Sequence, residues 1–297
     1  MTQDEEKIGK KYASKGFIQK IPIAWLIKTI VFGLMLAGAG AFFGLVLRWV
    51  GDGYVYLTPG SWDMWEALHL VFWALGALTA VAVTAGFVAM LLRPFWVAAL
   101  TYLVSALALF LTFELSLLSF VVALIYFLIG LIYLGGVRAE IANRVKFSVW
   151  NIRGSQTVLL VVLVALVCTS LYFGYSGHID RQGFTIPEDA VDWVVDMADQ
   201  HLIDKIMPEG ATAADREQAL EEIRDFFAND VQSDIEPYEA YIPMGLAAIA
   251  FSVLMMSTFV ASWVPILILS LLLFILIRTK VVRKRARAVE VTQLSLE

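Results

Sequence analysis

Five long apolar runs, at 23–50, 67–92, 95–134, 158–175 and 242–277, leave this chain few ways to fold. A helix needs about 20 apolar residues to cross a hydrocarbon core roughly 30 Å thick. In lipid every backbone N–H and C=O must be paired internally, so runs of this kind become spanning helices. The chain's 60% hydrophobic content and mean hydropathy of +0.75 exceed the roughly 45–50% apolar usage of soluble domains. The expected fold class is all-α, a polytopic transmembrane helix bundle.

Two runs are too long for one crossing. The 36 residues of 242–277 would make a helix of about 54 Å. Tilt and bilayer adjustment absorb only a few ångströms of mismatch. Each long run is therefore expected to form a hairpin. The third breaks at Phe113-Glu114-Leu115-Ser116, where Glu114 is its one charge. The fifth bends within 257–265, because Pro265 favours starting a helix over continuing one. That count gives seven spans, favoured over six.

Lys and Arg in short loops set the orientation. Lys7, Lys10, Lys11, Lys15 and Lys20 hold the N-terminus in the cytoplasm. The run after them is too long for the ~7–15-residue core of a cleaved signal, despite Ala37-Gly38-Ala39. Loop 51–66 and Glu114 are then outside, and Arg93-Pro94 and 137–156 inside. The tail dissents. Arg278, Lys280, Arg283, Lys284, Arg285 and Arg287 follow the last span, and seven spans put them outside. An inner (cell) membrane protein is expected, organised as 1–176, a cytoplasmic tail and five-span bundle; 177–240, an extracytoplasmic helical module; 241–279, a transmembrane hairpin; and 280–297, a basic tail.

Segment 177–240 carries 17 of the 27 acidic residues and four of the 22 basic ones, a net −13; the remaining 18 basic and 10 acidic residues give +8. Thr185 and Glu188 match a capping box. Val191, Val194, Val195, Ala198, Leu202 and Ile206 follow at near-helical spacing. Pro208-Glu209-Gly210 ends that helix, and Thr212 with Asp215 opens a second along Ala219, Leu220, Ile223, Phe226 and Phe227. Asp189, Asp192, Asp196 and Asp199 share one face. That face reads as solvated, since a Gly-turned Ca²⁺ loop is missing. The C-terminal 289–296 alternates like a strand.

Small residues stripe the first two spans: Gly33, Ala37, Gly40, Ala41 and Gly44, then Gly76 and Ala80. In lipid such residues let helices approach closely, and the two spans are expected to pack together. Ionisable residues inside spans are the usual functional pointers. Here none reaches mid-bilayer. Glu114 reads as a turn residue, with a gate or ion ligand as the alternative, and His69 as a satisfied interfacial histidine, with a functional role as the alternative. Tyr54, Tyr56, Trp62 and Trp65 suit an interfacial belt. Loop 137–152, with Val137, Ile141, Val145 and Val149 against Arg138, Arg144 and Lys146, suits an anionic leaflet.

No P-loop, G-x-S-x-G, H-E-x-x-H or G-x-G-x-x-G motif is present, and Cys168 has no activating neighbour in sequence. Neither an enzyme, a metal nor a cofactor has residues to rest on. The C-terminal stretch, with its double apolar run 242–277, basic Lys280 to Arg287 and alternating 289–296, resembles uncharacterised multi-pass membrane proteins of candidate-phylum bacteria. That resemblance implies a source and no activity. The expected function is a membrane scaffold or complex subunit with an outward acidic interaction module. The alternative is a transporter or channel for a small or apolar solute, with the module as vestibule or lid. The expected partners are the bilayer and a protein at the module, not nucleic acid.

Overall fold

A computed structural model describes residues 23–53, 64–142, 149–186, 188–201 and 213–279. Among these there are helices and no strand. In chain order they are α1 (Ile23–Asp52), α2 (Met64–Leu91), α3 (Phe95–Phe113), α4 (Leu117–Ala142), a 3-10 turn (Val149–Ile152), α5 (Arg153–Gln182), α6 (Glu188–His201) and α7 (Ala213–Asp225). A π-turn (Phe226–Val231), α8 (Gln232–Ile235), a 3-10 turn (Glu236–Tyr241), α9 (Ile242–Ala261) and α10 (Trp263–Arg278) complete the chain. The lysine-rich N-terminus, the loop around Tyr56 and Trp62, Leu202, Ile206, Pro208-Glu209-Gly210 and the 280–297 tail lie outside the described residues.

Among the described residues six helices are long and apolar enough to cross a membrane: α1 to α5, and one over Pro237–Thr258 that includes most of α9. The seventh apolar helix, α10, has 16 residues and reaches only about 24 Å. The chain is thus a multi-pass helical bundle. One end carries Arg93, Arg138 and Arg153 and is called the basic end below. The other leads into the acidic segment.

The break in the third run falls where its charge and serines predict. α3 stops at Phe113, Glu114 takes an extended conformation (φ −158°, ψ 147°) and α4 starts at Leu117. Ser116 and Ser119 then cap α4 reciprocally. The Ser119 N–H donates to Ser116 Oγ at 3.2 Å, and the Ser116 N–H donates to Ser119 Oγ at 3.1 Å. That is a capping box with serine in place of Glu.

The bend in the fifth run is at Ser262, and Pro265 lies in the first turn of α10. Trp263 meets Trp150 edge-on at 5.3 Å, and the Arg153 guanidinium lies 4.7 Å over its ring. The bend is therefore at the basic end. Six residues on, Leu269 packs against Gly86 of α2, two turns inside that end. Ile266, Leu269 and Leu273 form its buried stripe, so α10 leans back into the bundle along α2. Residues 81–89 of α2 are buried all round as a result.

The small-residue stripe of α1 packs mainly on α3, rather than on α2 alone. A β-carbon at Gly40 would stand 2.7 Å from the Ser105 carbonyl oxygen, and one at Gly44 equally close to that of Leu109. Ser105 Oγ donates to the Leu36 carbonyl (2.8 Å) and Thr112 Oγ1 to that of Ala41 (2.9 Å). Hydroxyls on one helix thus bond carbonyls of the other across a gap only glycine permits. Gly33 faces Thr101, while Gly76 has no neighbour within 4 Å.

Candidate functional site

Gly76 is open because it borders a cleft of about 930 Å³ between α1 and α2, at the end opposite Arg93, Arg138 and Arg153. Its walls are aromatic. Trp73 packs edge-on against both Phe42 and Trp49, each pair of centroids 5.9 Å apart. Asp52 and His69 supply the polar rim, with Gly53 between the helix ends. His69 is exposed. The cleft offers apolar walls with one carboxylate and one imidazole, a set suited to holding an amphipathic molecule by its apolar part.

Glu114 is exposed at the α3–α4 turn and does not line this cleft. Of the small residues, Gly33, Gly40 and Gly44 serve packing, and Gly76 serves the cleft. Ala37, Ala41 and Ala80 lie on the same helices; the Ala41 and Ala80 carbonyls accept from Thr112 and Thr84.

A second polar feature lies inside the bundle. Tyr102, Tyr126 and Tyr133 are buried completely or nearly so, as are Ser105 and Gln156. Ser105 Oγ and the Tyr126 hydroxyl are 2.9 Å apart, and Tyr133 donates to Gln156 Oε1 at 2.6 Å. The Ser155 N–H donates to Glu140 Oε1 at 3.2 Å. Sequence reading overlooked this seam because it looked for charges. The signal was there: Ser119, Tyr126, Tyr133 and Glu140 recur every seventh residue, on one side of a helix.

The acidic segment is a built unit. Arg216 Nε lies 2.7 Å from Asp199 Oδ1, and Arg224 pairs with Asp192. Two of the four aspartates on the α6 face are therefore ion-paired across to α7 rather than merely solvated. Asp196 remains exposed. Helix α6 starts at Glu188, not just after Thr185. Gln232 accounts for the difference. It accepts from the Ile186 N–H (2.8 Å) and donates to the Phe184 carbonyl (2.5 Å), tying that strip to α8. Glu239 adds a bond from the Phe184 N–H at 3.2 Å. Among the described residues no three His, Cys, Asp or Glu come together as a metal site.

Comparison with protein-family models, curated proteins and solved structures finds no match to this chain, and so nothing that bears on the likeness of its C-terminal stretch.

Proposed function

We propose that this is a non-catalytic subunit or scaffold of a cell-membrane complex, whose acidic module docks a partner with a basic surface. On this reading the N-terminus is cytoplasmic and 177–240 faces outward, as the loop charges favour. The observation that carries it is the module's architecture. Two of its four basic residues, Arg216 and Arg224, are engaged in internal pairs. Glu217, Glu221, Glu222 and Asp196 stay exposed beside Met197 and Phe226, which are 40% and 53% exposed. Apolar side chains set in a charged rim are the usual make-up of a contact surface.

A photo-crosslinking residue at position 196 in native membranes tests this. A discrete adduct is expected, weakened by salt and lost when Glu217, Glu221 and Glu222 become Gln. A chain that forms no adduct at any module position would overturn the proposal.

The aromatic cleft favours a second reading, a transporter for an amphipathic or apolar solute. Flux in proteoliposomes that His69→Ala or a cleft-filling Gly76→Trp abolishes would establish it and displace the first.

A further inference from the structure

We propose that the tyrosine seam holds internal water in the basic-end half of the bundle, up to the bonded Tyr126–Ser105 pair. Tyr102 carries the argument. Its ring packs against Gly130, where a β-carbon would collide with it; Gly130 falls four residues after Tyr126 and three before Tyr133 on the same face of α4. Tyr102 is thus inserted between the other two. Its hydroxyl is fully enclosed and has no hydrogen-bond partner among the described residues. Gln156 Nε2 and Glu140 Oε2 are enclosed and unpartnered as well.

Helix directions draw these three atoms toward one another. Side chains on a helix lean toward its N-terminus. Tyr102 therefore leans toward Phe95 and the basic end, while Tyr133 and Gln156 already meet there at 2.6 Å. Glu140 lies two turns nearer that end on the Tyr133 face. At the far limit, Tyr126 meets Ser105, ten residues into α3 and so about 15 Å deep, half of a ~30 Å core.

The chemistry selects the guest. Tyr102 O–H and the Gln156 amide donate, whereas Glu140 Oε2 accepts. A bare cation would want acceptors alone. Water can answer both kinds, and buried water typically bonds two to four polar groups. Leaving three such atoms unpaired in an apolar interior would be the costlier arrangement.

Two measurements on the full chain test this. In bilayers, water-edited solid-state NMR should polarise the Tyr102 ring as quickly as exposed Tyr238. Transfer as slow as to Phe43, in the dry core, overturns the proposal. Tyr102→Phe keeps the ring's shape. It should lower the melting temperature by about 2–4 °C if the hydroxyl holds water. An unchanged or higher value, with Tyr126→Phe as the reference for a bonded hydroxyl, overturns it too.

Discussion

At the scale of single residues, backbone proximity decides which glycines matter. A β-carbon at Gly174 would collide with the Gly51 carbonyl oxygen, which is backbone and cannot swing aside. One at Gly44 would stand 2.7 Å from the Leu109 oxygen. Gly38 and Gly245 have no neighbour within 4 Å. Gly174→Ala and Gly44→Ala are therefore expected to destabilise the protein by about 1–3 kcal/mol, the range for overpacking. Gly38→Ala should be neutral or stabilise by up to about 1 kcal/mol through helix propensity. Thermal melts in detergent decide the point; equal losses at all three would refute it. The sequence showed that α1 has a small-residue stripe. It could not show the partner, because α2 and α3 both offer small or hydroxylic faces. Only the Ser105 and Thr112 bonds to α1 carbonyls select α3. The buried tyrosines were harder to see, since tyrosine is grouped with the hydrophobic residues in the 60% count while its hydroxyl needs a partner inside.

At the scale of elements, local chemistry was legible wherever one residue's choice settled the backbone. Glu114 cannot lie in the lipid core cheaply, and Ser116 and Ser119 can cap a helix. The third run therefore breaks where it reads. Thr185 misled for the opposite reason. Its capping box is a local signal, and Gln232, 46 residues away from Ile186, outbids it with two backbone hydrogen bonds. The relative strength of the module's ties follows. The Arg216–Asp199 pair is about 40% exposed on both sides, and such surface pairs contribute ~0–1 kcal/mol. Gln232 is half-buried, and its loss would leave an N–H and a C=O without partners. Gln232→Ala should cost about 1–3 kcal/mol and speed amide exchange at Ile186, while Arg216→Ala should cost less than about 1 kcal/mol. The reverse order in denaturant melts of the two variants would show that the charges hold the module together.

At the scale of the whole molecule, the direction of α10 governs where the tail emerges. Trp263 sits at the basic end beside Trp150 and Arg153. Leu269 already lies two turns inside it against Gly86. A helix entering at that end and leaning along α2 heads for the acidic end. Its 16 residues cover about 24 Å of a ~30 Å core. The expected outcome is a C-terminus on the same side as 177–240; with that segment outward, as proposed above, this runs against the positive-inside tendency of the six basic residues from Arg278 to Arg287. The −13 of the acidic segment would offset that tendency: a +6 cluster beside it is attracted across a Debye length of ~8 Å at physiological salt. Paired reporters fused after Glu297, one active only outside and one fluorescent only inside, read the side directly. An inside C-terminus would make α10 a re-entrant helix of a six-span protein. Neutralising the acidic segment's exposed carboxylates should then leave the tail where it is. In the seven-crossing arrangement, the same neutralisation removes the attraction that opposes the positive-inside rule, and a fraction of chains should present the tail in the cytoplasm.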